Sequence, residues 1–324
     1  MNSPVFAALF PVVLLTAMGF IAGRAGWIRA GAIKDLSSLV FLLLTPALLF
    51  RTMSQVDIAQ LDFRPVAAYF LAVALLFAGT LVVQGFNRRA AVLALANTFS
   101  NTVMIGIALV GLMYGPAGLV TLLTLVSVHS LVLLTSATVV LELAVARELR
   151  QGVPGAAALA PQHAPRHALA TVLMAVKNSL LHPVPLPIMA GLLFAQTGWV
   201  MPAVIDKPVE LLGTAFGPLA LVLVGVTLAH TSVGKHWRQA LALAGIKNLA
   251  HPLLVAVVCR LLGVGGLPMT VMVVAAALPI GANVFLFSQR YQVAEELVTA
   301  SVVVSTVLAL LSLPLVFMLL PCLG

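Results

Sequence analysis

Ala96-Asn97-Thr98-Phe99-Ser100-Asn101-Thr102-Val103-Met104-Ile105-Gly106 lies inside an apolar stretch long enough to cross a bilayer, yet it carries two asparagines midway. A second stretch, Ala277-Leu278-Pro279-Ile280-Gly281-Ala282-Asn283-Val284-Phe285, has the same character. Asparagine side chains compete with the backbone for hydrogen bonds, and proline removes a donor. Each stretch therefore reads as a spanning helix interrupted near its centre. The two occupy corresponding places in the two halves of the chain.

The surrounding sequence is equally apolar. Of 324 residues, 62% are hydrophobic and 8% charged, and the mean hydropathy is +1.15. A soluble globular protein carries about 25% charged residues, so that class is excluded. Runs of about 20 apolar residues, the length of a spanning helix, recur near 5–23, 33–53, 65–86, 91–113, 118–145, 170–196, 209–231, 239–262, 267–289 and 297–320. Backbone groups in hydrocarbon must be satisfied internally, which only helices and closed barrels achieve. With no alternating β pattern, the expected fold class is an all-α integral membrane protein of ten transmembrane helices. The first run has no basic residue before it and no cleavage motif before Arg24, so it reads as a retained helix. Cys259 and Cys322 lie in or beside apolar runs, far apart in sequence; they read as small buried hydrophobes rather than a disulfide or a metal site.

The net charge of +8 is a topology signal. With the N-terminus outside, all of the 17 Lys and Arg except Arg51, Arg64, Lys207 and Arg260 fall at cytoplasmic ends. This is the positive-inside pattern, and it places both termini on the outer side. It also removes the case for a nucleic-acid partner. The polar segment 148–168, rich in Gly, Pro, Gln and His, reads as a cytoplasmic linker between a first five-helix repeat (1–147) and a second (169–324). Because five is odd, the second repeat enters the membrane inverted. Internal likeness supports a duplication: Leu119-Val120-Thr121 recurs as Leu297-Val298-Thr299, and at the same spacing Val126, Ser127 and Leu133 match Val304, Ser305 and Leu311.

Paired interrupted spans point to the binding site of a secondary transporter. The fourth span runs outward and the ninth inward, so the starts of their second halves meet near the midplane. A helix start carries a partial positive charge of about 0.5 and exposed N–H groups, which suits an anion such as a carboxylate. Asn97 and Asn101, four apart, share a helix face, and an amide can orient a carboxylate or ligate a small cation. Pro279 favours the break and Gly281 permits close approach of a ligand. The candidate substrate-binding set is Asn97, Asn101, Thr102, Gly106, Pro279, Gly281, Asn283, Ser127 and Ser305. Ser127 and Ser305 belong to hydroxyl stripes of the fifth and tenth spans, which also serve close helix packing. A simple kink that shapes packing is the rival reading of each interruption.

His129 lies near mid-depth and is a coupling candidate, because an intramembrane ionisable group that titrates near neutrality can carry a proton. The rival reading is a neutral histidine bonded to a nearby hydroxyl. Glu142 reads as a snorkelling or Arg147-paired residue, and Arg88-Arg89 as ordinary flanking charge. His182-Pro183 and His251-Pro252 read as kinks with capping or packing histidines. Lys247, Asn248 and His251 share a face read as inner-surface flanking, with an anion vestibule as the alternative. No phosphate-binding loop, dinucleotide fingerprint, metal-ligand cluster or nucleophile elbow is present, so neither a cofactor nor a metal is expected.

At these residues the chain resembles the auxin efflux carrier family of membrane transporters. Asn101-Thr102-Val103-Met104-Ile105-Gly106-Ile107-Ala108-Leu109 with Met113-Tyr114-Gly115 resembles its fourth-span motif, and Leu278-Pro279-Ile280-Gly281 with Phe285, Phe287, Arg290 and Tyr291 its ninth. Thr45-Pro46-Ala47-Leu48-Leu49-Phe50 and Gly217-Pro218-Leu219-Ala220-Leu221 through Gly225 extend the likeness to essentially the whole chain. The resemblance implies two inverted five-helix repeats with broken helices 4 and 9 crossing at the substrate site. It also implies transport of organic anions by an elevator-like slide of one domain against another, in bacteria of malonate or malate. Where plant members have proline, this chain has Ser100 and Ala108, and its short linker lacks their long cytoplasmic loop.

The partners so implied are a small organic anion, membrane lipid and a coupling ion, H+ or Na+, with a homodimer left open. The location implied is a bacterial inner membrane. A sodium-coupled symporter of larger, bile-acid-type anions is the alternative. A channel and a membrane-embedded enzyme are more remote, since the 9 acidic residues sit mostly at span ends and no catalytic set lies within the spans.

Overall fold

The structure, a computed structural model, describes residues 4–56, 61–153 and 184–323. Among these residues every regular element is helical. Helix α1 spans Pro4–Arg24. Helix α2 (Ala32–Leu39) continues through a π turn, Val40–Leu44, into α3 (Thr45–Met53). Pro46 lacks an N–H at the start of α3, and the Thr45 hydroxyl donates to the Val40 carbonyl at 2.8 Å across the widened turn. Helices α4 (Arg64–Gln84) and α5 (Arg88–Thr98) follow, the latter capped by Asn87, whose side chain accepts from the Ala90 N–H.

After a break the chain resumes as a π turn, Thr102–Ile107, that leads into α6 (Ala108–Arg150). The stretch Thr102–Arg150 holds 49 residues, roughly 73 Å of helix, more than twice a bilayer core of about 30 Å. Gly115 resolves the excess: at φ 58°, ψ −151° it takes a conformation closed to most residues, and with Pro116 it turns the chain where the fourth and fifth spans were expected to part. The second half contains α7 (Pro185–Gln196), α8 (Ala203–His230), α9 (Trp237–Gly245), a π turn (Ile246–Ala250) and α10 (His251–Leu261). It closes with α11 (Gly266–Ala277), α12 (Asn283–Arg290) and α13 (Glu295–Leu323).

Among the described residues, 6 helical stretches are long and apolar enough to cross a membrane. Phe10–Arg24, Pro185–Gln196 and Gly266–Ala277 are shorter apolar helices. The chain is thus an all-α, multi-pass membrane protein. Most of the expected linker, the first part of the expected sixth span and His182-Pro183 lie outside the described residues. Cys259 is buried and carries no disulfide, as a small hydrophobe would be.

Small residues let helices meet at backbone distance. A Cβ on Gly19 of α1 would stand 2.0 Å from the Val222 carbonyl oxygen of α8, and one on Gly225 of α8 would stand 1.9 Å from the Thr16 oxygen of α1. Van der Waals contact between bare backbones replaces the hydrophobic drive that lipid cannot supply. Side chains join helix ends as well. Arg51 at the end of α3 donates to Asp206 near the start of α8 at 2.7 and 3.0 Å. His230, ending α8, bonds the Ile28 carbonyl beyond α1 at 3.0 Å.

Candidate functional site

The chain leaves helical geometry at Phe99–Asn101 and again at Leu278–Ala282, and the two interruptions meet. The Asn101 N–H donates to the Pro279 carbonyl and the Gly281 N–H to the Phe99 carbonyl, each at 2.9 Å, with Ser100 and Ile280 bridged antiparallel. Eleven residues of α5 precede the first break and 12 of α11 the second, roughly 17 Å of helix in either case. That is about half the thickness of a hydrocarbon core. Two broken helices so placed satisfy part of each other's orphaned backbone, the condition for irregular chain at membrane depth.

Gly281 makes the approach feasible. A Cβ there would lie 2.6 Å from Phe99 Cδ1 and 3.2 Å from the Ser100 oxygen. A Cβ on Gly106 would lie 2.7 Å from Leu278 Cδ1. Asn101, half-buried, accepts from the Met104 N–H through Oδ1 at 3.3 Å and from the Gly106 N–H through its carbonyl at 3.1 Å. Thr102 is buried, its N–H donating to the Ser100 carbonyl at 2.8 Å. Asn283 opens α12 and is half-buried beside exposed Ala282. Ser100 and Ile280 at the bridge are therefore enclosed, whereas Asn101 and Asn283 are half-buried and Ala282 is exposed.

The remaining expected site residues divide. Ser305 belongs to the second break: its hydroxyl accepts from the Ile280 N–H at 3.1 Å. Ser127, its counterpart, donates to Thr124 of its own helix at 2.7 Å. Asn97 is buried in the last turn of α5, where Nδ2 donates to Thr80 at 3.1 Å and Oδ1 is without a partner. His129 shares a hydrogen bond of 3.3 Å with the Tyr69 hydroxyl through Nε2, while Nδ1 has no partner. The neighbouring hydroxyl foreseen for His129 is thus that of Tyr69.

Sequence reasoning missed the layer beneath the junction. Lys247 was read as a flanking charge, yet it is fully buried and its Nζ donates to the Ala276 and Leu278 carbonyls. These are the end of α11 and the first residue of the break, where unpaired carbonyls and the helix dipole favour a cation. Its signal was present: Lys247 lies ten residues beyond Trp237, inside an apolar run. Neighbouring Asn248 donates to the Ser305 carbonyl at 2.8 Å, and its Oδ1 is unpartnered. The Tyr69 hydroxyl reaches Ser100 Oγ at 3.2 Å, which ties α4 to the first break.

One further reading changes at the start of α5. Arg88 is buried, not a free flanking charge: the Glu148 carboxylate takes both its backbone N–H and its Nε, and Nη1 donates to the Tyr291 carbonyl at 3.3 Å. The Tyr291 hydroxyl donates to Glu142 at 2.8 Å. This set ties the start of α5, the end of α6 and the turn after α12.

A multi-pass helical protein whose interior polar groups gather around two interrupted helices belongs, by fold and site, to the membrane transporters. Comparison with known proteins agrees: residues 4–317 match the family described as membrane transport protein. The chain belongs to that family, the auxin efflux carriers that its two interrupted motifs resemble. It is also 30% identical over 130 residues to a protein of Rhizobium meliloti (strain 1021) named "Putative malonate transporter". That alignment covers 40% of this chain and 40% of the relative.

Proposed function

We propose that the protein is a secondary active transporter of a small organic anion, a carboxylate such as malonate, malate or an auxin-like acid. The anion binds at the junction, between the Asn101 and Asn283 amides and the starts of the two second half-helices. The bridge between the interruptions carries this reading, because it joins the breaks that precede two helix starts in opposite halves of the chain. The malonate name of the relative supports a dicarboxylate.

The architecture proposed is ten helices in two inverted repeats, with helices 4 and 9 crossing at the bridge and both termini outside a bacterial inner membrane. Two observations support it. The Tyr69–Ser100 bond and the Lys247–Leu278 bond both join residues 31 apart, one in each half. The contacts between helix ends also join ends that this topology puts on one side: Arg51 with Asp206 outside, and Arg88 with Glu148 and Tyr291 inside. Alternating access then follows by an elevator-like slide that carries the junction between the two faces.

Sodium coupling of the bile-acid type is less well supported. Carbonyls of a broken helix that would ligate Na+ are here occupied by Lys247 Nζ. Purified protein in liposomes preloaded with unlabelled carboxylate should take up labelled malonate or malate by counterflow, without sodium. Conductance without counterflow would reassign the protein as a channel, and no movement of any small carboxylate would reject the reading.

A further inference from the structure

Four titratable side chains sit together beneath the junction. Tyr69, His129, Lys247 and His251 are buried to within 1% of exposure. The Tyr69 ring packs against both imidazoles, with centroids 5.8 Å from His129 and 5.5 Å from His251. Phe99, at the edge of the break, covers His129 at 4.9 Å. Both ring nitrogens of His251 and Nδ1 of His129 lack partners. Buried imidazole nitrogens are normally hydrogen-bonded, so three orphans in one cluster mark a place where a mobile partner comes and goes.

Among the described residues, no carboxylate balances this set. Tyr69 faces it from α4, His129 from α6, His251 from α10 and Lys247 from the π turn before α10. Helix α11 has no titratable residue. The acidic groups of α6, Glu142 and Glu148, lie roughly 20 Å or more beyond His129 along the helix. Helix α8 carries Asp206, Lys207, Glu210 and His230 near its ends, and α13 carries Glu295 and Glu296 in its first turn.

We propose that His129, His251 and Tyr69, beside Lys247, form a proton-binding site linked to the anion site, so that carboxylate and proton cross together. This rests on the transport reading above. The proton adds to a lone pair of a neutral imidazole and leaves the same nitrogen on the other side. In so buried a cluster, a positive charge on an imidazole is unfavourable until an anion arrives. A carboxylate at the junction supplies the opposing charge, favouring the protonated imidazole. Linkage is reciprocal: a bound proton strengthens anion binding by the same factor, typically 5–150-fold for coupled sites. The Tyr69 hydroxyl, touching both Ser100 in the break and His129, is the physical contact between the two sites.

The test uses full-length protein in liposomes with labelled malonate or malate and potassium plus valinomycin to clamp the voltage. Two quantities are read: exchange at equal pH, and accumulation driven by an acidic exterior. The wild type should accumulate substrate above equilibrium, toward the ratio of the imposed proton gradient if one proton accompanies each anion. His129→Gln and His251→Gln should keep exchange and lose the accumulation. Tyr69→Phe, which removes only a hydroxyl, should weaken accumulation more than exchange, and it decides the matter should the glutamine variants fail to fold. Brisk wild-type exchange without any response to the pH gradient overturns the proposal, as does unchanged accumulation in the variants or equal loss of both activities in Tyr69→Phe. Absence of wild-type exchange for every carboxylate tried removes the transport reading, and this proposal with it.

Discussion

Gly281 shows how one missing methyl group permits the site. Its N–H reaches the Phe99 carbonyl only because no Cβ stands between the segments, 2.6 Å from the Phe99 ring. Gly281→Ala must push that ring or the bridge aside by several tenths of an ångström. A misplacement of about 1 Å can cost roughly a hundredfold in rate, so one of several tenths is expected to cost roughly tenfold. Counterflow by Gly281→Ala should fall about tenfold or more while the protein still reaches the membrane; wild-type counterflow would mean that the bridge tolerates loosening. At this scale the sequence was partly legible. Asparagine, proline and glycine announce a break because their effect is local to the backbone. Lys247 was misread because its role depends on which helix end its flexible stem meets, and linear spacing does not encode that.

Element ends are fastened by buried charge. Glu148, in the last turn of α6, takes the first backbone N–H of α5 and the Arg88 guanidinium together, so it caps α5 and complements its dipole. Deleting one member of such a pair leaves the other charge buried and costs about 3–5 kcal/mol, whereas replacing both with apolar groups is often near neutral. Glu148→Gln should therefore lower the thermal midpoint in detergent markedly, and the Arg88→Met, Glu148→Met double substitution should recover part of it. A double variant less stable than Glu148→Gln would contradict this account of the pair. The fourth, fifth and ninth runs were readable as elements from apolar length and glycine alone. The π turns at 40–44 and 246–250 were not, since one extra residue in a turn leaves almost no trace in an apolar pattern.

Over the whole molecule, basic residues and the odd number of spans per half predict an orientation with both termini outside. Single cysteines at Gly152 and Trp199 offer a direct check in a Cys259→Ala, Cys322→Ala background. Impermeant thiol reagents should label the Trp199→Cys variant in right-side-out vesicles and Gly152→Cys only in inverted ones. Labelling of both from one side would break the inverted-repeat scheme. The all-helical, multi-pass class was legible because apolar length requires no side-chain geometry. The buried layer of Tyr69, His129, Lys247 and His251 was not, because it is assembled from three separate helices and a turn.

The central claim is that two interrupted helices jointly hold an anion at mid-depth. Equilibrium binding of labelled malonate and malate to purified protein tests it most directly, with wild type compared against Asn101→Ala and Asn283→Ala, each shown to be helical by circular dichroism. Loss of a charge-assisted hydrogen bond of about 1.5–3 kcal/mol corresponds to affinity weakened roughly tenfold or more in either variant. Wild-type affinity in both would place the anion elsewhere and contradict the account.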